Sequence, residues 1–110
     1  MKTLKFHHDL VPLVLDGSKT STWRLFDDKN LSVGDELELR EFGKDGAFAR
    51  ARIVDVVEKQ FSELTEDDKR GHESFESDDK MYKTYSEYYS TNVSPATKLK
   101  IIRFELSKPS

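Results

Sequence analysis

The feature of the sequence that most limits its fold is the alternation of apolar with polar residues over short segments. Leu37 and Leu39 alternate with charged residues, and the segment 47–58 places three alanines on one face and two arginines on the other. Because successive side chains of a β-strand point to opposite faces, this period of two predicts strands rather than helices. The two segments are separated by Gly-Lys-Asp-Gly at 43–46, which predicts a turn, so we expect a hairpin.

Three further segments are predicted to be strands. A short one begins at Leu4, the segment 20–25 alternates with Trp23 and Leu25 on the core face, and the segment 98–106 is rich in β-branched and aromatic residues. Strands at both ends of the chain, with one hairpin between them, predict an α+β, mainly β domain: a small antiparallel β-barrel with flanking helices. An open two-layer α+β sandwich is the alternative.

Helix signals occur in two regions. The segment 9–16 carries five large apolar residues after Asp9, a candidate N-cap, and Gly17 follows directly, which predicts a two-turn helix ended by a glycine. Further on, Thr65 with an aspartate three residues later resembles a capping box, and Ser77 is a candidate N-cap. The helix after Ser77 carries large side chains at intervals of three and four: Met81, Tyr82, Tyr85, Tyr88 and Tyr89. This stripe is expected to pack against the sheet; the alternative is that tyrosines at a cleft edge stack on a base.

Length and composition restrict the molecule further. The chain of 110 residues suits one domain, which we place at residues 1–106, with a polar tail at 107–110. The absence of cysteine excludes a disulfide and a thiolate nucleophile, and no apolar run approaches the roughly 20 residues of a membrane span. We therefore expect a soluble, cytoplasmic protein without membrane contact, and a monomer is favoured. The net charge of −3 restricts any nucleic-acid contact to a local patch.

The most informative segment for function is 17–24, with the sequence Gly-Ser-Lys-Thr-Ser-Thr-Trp-Arg. Alternation places Thr20, Thr22 and Arg24 on one face of the predicted strand. Together with Lys19 in the preceding turn, these hydroxyl and cationic groups form a dense set of donors for an anion or a polar base edge. The alternative is an ordinary surface strand, in which Lys19 is solvated and Arg24 pairs with a nearby acid.

Arginines and histidines elsewhere in the chain are weaker candidates. Arg50 and Arg52 alternate with alanines, and we expect them either to contact RNA phosphates or to lie on an ordinary solvated strand face. His7 and His8 are adjacent, so their side chains diverge, and with His72 they lack the spacing of a metal site. No metal site and no cofactor are predicted.

The motif Gly17-x-Lys19-x-x-x-x-Arg24 resembles the Gly-x-Lys-x-x-x-x-Arg signature of the ASCH domain, a member of the PUA-like superfamily of small β-barrels. The segments around the motif are similar to the family pattern, in the same order, over nearly the whole chain: 4–6, 33–35, 51–56, 61–68 and 102–106. The resemblance implies a PUA-like barrel with a cleft at its mouth. Beside that cleft, the lysine and the arginine of the motif are thought to face RNA or a modified nucleobase.

The resemblance also implies an activity. Some compact ASCH domains are amidohydrolases that remove the acetyl group from the exocyclic amine of acetylated cytidine, and the residues here that match their proposed catalytic set are Lys19, Thr22 and Glu73. Amide hydrolysis needs a nucleophile, a base and an acid. These roles suit the threonine, a lysine whose pKa is lowered by desolvation or by Arg24, and the glutamate. A solvated carboxylate in an acidic loop is the alternative for Glu73.

Three functions therefore stay open. The first is a module that binds a nucleobase or RNA without catalysis, with Lys19, Thr22 and Arg24 as its donors. Further candidate binding residues are Gly17, Thr20, Arg50 and Arg52. The second is an amidohydrolase acting on acetylated cytidine, and the third, also implied by the resemblance, is a metal-dependent ribonuclease. The moderately acidic body favours a small nucleoside over a long polyanion, because long RNA gains most of its affinity from phosphate neutralisation.

Overall fold

The backbone of the computed structural model, which describes residues 1–26, 29–72 and 74–107, is organised around one five-stranded sheet. Its strands are β1 (Lys2–Phe6), β2 (Ser21–Arg24), β3 (Glu36–Glu41), β4 (Ala49–Gln60) and β5 (Lys98–Leu106). The order across the sheet is β1-β3-β4-β5-β2, so β1 and β2 form its two edges. β1 runs parallel to β3, and the other neighbouring pairs are antiparallel.

The long strand β4 belongs to two ladders. Its first residues pair with β3 in the predicted hairpin, and from Ala51 to Gln60 it pairs with β5. A bulge between Ile53 and Asp55 interrupts the second ladder, and such bulges bend a strand and increase its twist. The sheet forms a curled half-barrel with few flanking helices, which confirms the predicted α+β, mainly β fold. The parallel pairing of β1 was not predicted, because alternation carries no information on strand direction.

Short helices connect the strands. Between β1 and β2 the chain forms a 3₁₀ turn (His8–Leu10) and α1 (Val11–Leu15), with Pro12 in the first turn of α1, where its missing N–H removes no helical hydrogen bond. Between β4 and β5 lie a second 3₁₀ turn and two helices: Phe61–Glu63, α2 (Glu66–Lys69) and α3 (Asp78–Tyr89). None of the helices in the described ranges is long and apolar enough to cross a membrane.

The predicted N-caps of α2 and α3 are confirmed. Thr65 Oγ1 accepts a hydrogen bond from the Asp68 N–H at 3.2 Å, and Asp68 Oδ2 accepts one from the Thr65 N–H at 2.9 Å, which completes a capping box. Ser77 Oγ accepts a bond from the Lys80 N–H at 3.2 Å. These bonds satisfy N–H groups that have no partner within the helix, and they fix where each helix begins.

The hydrophobic core consists of two clusters that share β5. One cluster is formed by residues of β1, β3, β4, β5 and α1, and the other by residues of β2, β5 and α3. Because successive residues of a strand point to opposite faces, Ile101 and Ile102 belong to different clusters. The predicted stripe on α3 packs through Met81 and Tyr85, which are buried, whereas Tyr88 is 49% exposed.

An ion pair of low exposure ties α2 to the sheet. Asp68 is 9% exposed, and its carboxylate accepts a hydrogen bond from Lys59 of β4 at 2.7 Å, besides the bond from the Thr65 N–H. Burial raises the pKa of Asp68, but the bonds from Lys59 and Thr65 outweigh that effect and hold the pKa below its ordinary value. The folded state therefore prefers the charged carboxylate.

We expect the Asp68→Asn variant to lose a pH-dependent part of the stability. A carboxyl group whose pKa is lowered by folding stabilises the fold above its unfolded pKa of 3.8, and this contribution disappears as the pH falls through the lower folded value. Relative to the parent, the variant should be less stable by about 1–2 kcal/mol near neutral pH. The difference should shrink below about pH 4. Urea unfolding at a series of pH values measures both quantities.

The matched control for this prediction is Asp45→Asn. Asp45 is exposed in the turn of the hairpin, so its substitution should change the free energy of unfolding by less than about 0.5 kcal/mol. A deficit of Asp68→Asn that stays constant on acidification would contradict the prediction, because such a deficit would not depend on the charge of the carboxylate.

Candidate functional site

A buried lysine precedes β2. α1 ends at Leu15, and Gly17 then takes a left-handed backbone conformation with φ of 86°, which redirects the chain. Lys19 is only 3% exposed; its Nζ donates a hydrogen bond to the Ser21 carbonyl oxygen at 2.7 Å and lies 6.0 Å from the centroid of the Phe6 ring. The structure thus excludes a solvated Lys19. Lysine is rarely buried so deeply unless it is paired or takes part in chemistry.

Lys19 lines a pocket of about 260 Å³ together with Thr22 and Arg24, so three of the residues singled out in the sequence meet there. The described walls are Lys5, Phe6, His7, Leu10, Lys19, Thr22, Trp23, Arg24, His72, Phe75, Thr84, Tyr85, Tyr88 and Tyr89. Both edge strands, β1 and β2, contribute to these walls although they lie at opposite ends of the strand order. The pocket therefore lies where curling brings the two edges of the half-barrel toward each other.

The described lining of the pocket carries cations and no carboxylate. Lys5, Lys19 and Arg24 supply positive charge, whereas the whole molecule has a net charge of −3. Nε of Arg24 is buried without a hydrogen-bond partner, and its guanidinium forms no ion pair within the described ranges. A buried donor without an acceptor is costly, and such donors are typical of positions where a ligand supplies the acceptor.

Aromatic rings form one wall of the pocket. Trp23 is 4% exposed, and the His72 ring stacks on it with ring centroids 3.9 Å apart and planes 15° from parallel. Tyr85 stacks on Trp23 at a centroid distance of 6.2 Å, and its hydroxyl oxygen lies 3.2 Å from Nε2 of His72, within hydrogen-bond distance. Nε1 of Trp23 is a further buried donor that has no partner in the described part of the chain. The stacked rings give the pocket a flat apolar side.

Two neighbouring tyrosines of α3, Tyr88 and Tyr89, complete the pocket near Arg24. Burial raises the pKa of the Tyr88 hydroxyl, Tyr89 adds to the increase, and the charge of Arg24 partly opposes it. The hydroxyl therefore stays protonated at neutral pH, where it is able to donate a hydrogen bond as well as accept one.

The alternation within β2 predicted the burial of Trp23 correctly but not its contribution to the pocket. Thr22 and Arg24 are partly buried on the other face, and Leu25 is partly buried rather than fully enclosed. Trp23 also lines the pocket, because the segment around His72 and α3 cover its face of this edge strand. The contribution of His72 was missed, since one histidine that stacks on a residue distant in sequence leaves no periodic signal.

Four other candidate residues do not line the pocket. Thr20 is exposed, and Gly17 forms only the turn before β2. Arg50 and Arg52 are exposed on β4, where their Cα partners are glutamates of β3. The structure therefore does not bring these two arginines together with Lys19 and the rest of the pocket.

Glu73, the third predicted catalytic residue, lies outside the described residues. His72, directly before it in the sequence, and Phe75, two residues after it, both line the pocket. Across residues 1–26, 29–72 and 74–107, no group of three or more histidine, aspartate or glutamate side chains is arranged to hold a metal ion.

Gly71 holds the segment with His72 against the start of β2. Its carbonyl oxygen accepts hydrogen bonds from the N–H groups of Thr20 and Ser21, at 2.8 and 3.1 Å. Gly71 has φ of 77°, and a Cβ atom placed on it would clash with Oγ1 of Thr20 and lie 3.3 Å from Cβ of Thr20. Glycine is therefore favoured at this contact, because a side chain would need a left-handed backbone and a shift of Thr20, and the contact holds one wall of the pocket against β2.

No protein-family model and no curated protein matches this sequence, but solved structures match its fold. An ASCH domain from Lactobacillus crispatus JV V101 matches with a TM-score of 0.70 and 15% identity, over 96% of this chain and 79% of that one. A hypothetical protein matches with a TM-score of 0.74 and 18% identity, over 97% and 100%. An ASCH protein from Zymomonas mobilis matches with a TM-score of 0.65 and 12% identity, over 94% and 65%. The chain has the ASCH-domain fold, which confirms the structural part of the resemblance.

The Gly71→Ala variant should be destabilised more than a glycine substitution without a close contact. The left-handed backbone and the clash with Thr20 both oppose the added Cβ, so we expect a loss of roughly 2–4 kcal/mol in the free energy of unfolding. Gly46→Ala is the matched control: Gly46 has φ of 81°, but a Cβ there would meet nothing within 4 Å, so only backbone strain remains. Urea unfolding measures the two losses. Equal losses would show that the Thr20 contact does not constrain the fold.

Proposed function

We propose that the pocket binds the base of a nucleoside, either free or within an RNA chain. The observation that carries this proposal is that several aromatic side chains line the same pocket as Arg24, whose Nε is a buried donor without a partner. A nucleobase is a flat ring with polar edges, and proteins recognise it by stacking an aromatic side chain on its face and directing hydrogen bonds at its edge. The pocket offers both kinds of contact.

Size and charge support a ligand of this class. Pockets for drug-sized molecules measure about 300–1,000 Å³, so a pocket of about 260 Å³ suits a ligand of one nucleoside. The planar fork of Arg24 is suited to a base carbonyl or to a phosphate, and Thr22 adds a hydroxyl group that both donates and accepts. With no carboxylate in its described lining, the pocket does not repel a phosphorylated ligand.

A more specific function is the removal of the acetyl group from acetylated cytidine. Two observations favour it: Lys19 and Thr22 line the same pocket, and Lys19 is buried. Burial disfavours the charged form of an amine, which suits a lysine that must accept a proton from a hydroxyl group. The ASCH resemblance assigns the third role, that of the acid, to Glu73.

The proposed reaction consumes one water and releases acetate. Thr22 Oγ attacks the acetyl carbonyl carbon while Lys19 Nζ takes the proton of the hydroxyl group. The bond between that carbon and the exocyclic nitrogen then breaks, and the nitrogen leaves as the amine of cytidine after it receives a proton from Glu73. Water then attacks the acetyl ester on Thr22 and gives up a proton to Glu73, the bond from the ester carbon to Thr22 Oγ breaks with return of the proton from Lys19 to that oxygen, and acetic acid leaves, ionising to acetate in solution.

Replacing Arg24 should weaken nucleoside binding more than replacing an arginine elsewhere on the sheet. Loss of a hydrogen bond from a charged donor in a partly buried site should raise the Kd for cytidine by about tenfold or more in Arg24→Ala. Arg50→Ala is the matched control, because it also removes one strand arginine but lies outside the pocket; its Kd should change by less than about twofold. Calorimetric titration measures both. Equal effects would indicate diffuse electrostatics instead of a specific site.

Deacetylation should depend on the hydroxyl group of residue 22 and on the amine of residue 19. Thr22→Val keeps the shape of the side chain and should abolish turnover of acetylated cytidine, whereas Thr22→Ser should retain part of it. Lys19→Met keeps the length of a buried side chain and should lower kcat by about 10²- to 10⁴-fold. The Thr22→Val, Lys19→Met double variant should be hardly slower than either single variant. Chromatographic detection of cytidine measures the rates.

Three results would change the proposed roles or the proposed function. Full activity of Glu73→Gln would exclude Glu73 as the acid. A parent that binds cytidine but does not deacetylate it would leave the non-catalytic binding module as the function. Cleavage of RNA in the presence of Mg²⁺, without deacetylation, would favour the ribonuclease.

A further inference from the structure

A row of exposed rings continues along the mouth of the pocket. By distances between ring centroids, Phe42 lies 5.0 Å from His7, and His7 lies 5.4 Å from Tyr88. Tyr88 lies 5.2 Å from Tyr89, and Tyr89 lies 5.7 Å from Phe26. These five side chains are named the aromatic rim. His7, Tyr88 and Tyr89 also line the pocket, so the rim and the pocket are continuous.

Much of the aromatic rim faces solvent. Phe26 is 58% exposed, Tyr88 49% and Phe42 44%. Three of the five rings directly follow or lie two residues after the ends of β1, β2 and β3, and two belong to α3, so the rim joins segments that are distant in sequence. Single exposed apolar residues are common on protein surfaces, but a connected row of large rings beside a pocket is typical of a binding surface.

We propose that the aromatic rim is a second binding site, which stacks the bases on either side of the pocket's nucleotide in a single-stranded RNA. This inference rests on the proposed function, because one base of the strand must occupy the pocket. Aromatic side chains in a row are the usual means by which proteins hold successive bases of a single strand, with little dependence on sequence. The ligand is then an RNA segment of several nucleotides, rather than a free nucleoside.

Charge near the rim suits a polyanion better than an apolar protein surface. Lys5 and Arg24 line the pocket beside the rim, and neither forms an ion pair within the part of the chain that the structure describes. Two carboxylates of the described chain are sequence neighbours of rim residues: Glu41 precedes Phe42 and is partly neutralised by Lys44 at 3.1 Å, and the exposed Glu87 precedes Tyr88. A strand stacked on the rim therefore brings its phosphates close to unpaired cations.

Two substitutions separate ring stacking from general apolar contact. Phe42→Leu and Phe26→Leu each keep an apolar side chain but remove the flat ring, and neither residue lines the pocket. Val33→Ala is the control, since Val33 is 62% exposed and does not belong to the rim. Fluorescence anisotropy with a labelled single-stranded RNA of about nine nucleotides, centred on cytidine, measures RNA affinity. Calorimetry measures the affinity for cytidine.

We expect the parent to bind this RNA at least about tenfold more tightly than cytidine, because flanking bases add stacking contacts. Each rim variant should lose at least about fivefold in RNA affinity and keep the parent's affinity for cytidine. Val33→Ala should bind both ligands as the parent does. A blunt duplex of the same sequence should bind more weakly than the single strand, because paired bases are not free to stack on side chains.

The outcomes distinguish the rim from the pocket. RNA that binds no more tightly than cytidine, or rim variants that bind RNA as the parent does, would overturn the rim as an RNA site. The pocket would keep its function in that case if cytidine binding still required Arg24. Failure of both cytidine and RNA to bind would overturn the proposed function itself. A parent that self-associates through the rim, with RNA affinity unchanged in monomeric rim variants, would assign the rim to contact between two copies instead.

Discussion

The burial of both faces of β5 is the constraint on which the arrangement of the molecule depends. Ile102 packs into the cluster formed with β1, β3 and β4, and the neighbouring Ile101 packs into the cluster formed with β2 and α3. A strand that is buried on both faces needs a packing layer on each side. For β5, residues of β1, β3 and β4 cover one face, and α3 helps to cover the other. That position stacks Tyr85 on Trp23 and makes α3 one wall of the pocket.

The same packing encloses polar groups in apolar surroundings. Lys19 is buried beside the Phe6 ring, and Nε of Arg24 and Nε1 of Trp23 are buried donors that have no acceptor in the described structure. Each such donor destabilises the folded state by roughly 1–3 kcal/mol. A ligand that supplies acceptors removes this penalty. These buried donors mark the pocket as a candidate binding site independently of any family resemblance.

The sequence predicted those features that depend on residues close together in the chain. The caps at Thr65 and Ser77 depend on residues three positions apart, and the strand predicted at 98–106 is β5 with the same limits, since its pattern and its ladder coincide. The parallel pairing of β1 and the meeting of the two sheet edges at the pocket depend on contacts between segments distant in the chain. The stacking of His72 on Trp23 belongs to the same class, and no spacing in the sequence indicates it.

Arg24 and Arg50 show that strand alternation indicates the face on which a residue lies but not whether that residue belongs to a binding site. Both are arginines on predicted strands, and in both cases alternation correctly indicates a face away from the core. Arg50 lies opposite Glu38 in the hairpin, an ordinary arrangement for a solvated face. Arg24 lies on an edge strand that α3 partly covers, in a pocket whose described lining has no carboxylate. The two arginines therefore differ in the residues that the fold places beside them: Glu38 beside Arg50, and residues of α3 beside Arg24. In a molecule with a net charge of −3, the cations of this pocket are therefore set apart by having no carboxylate in the described lining.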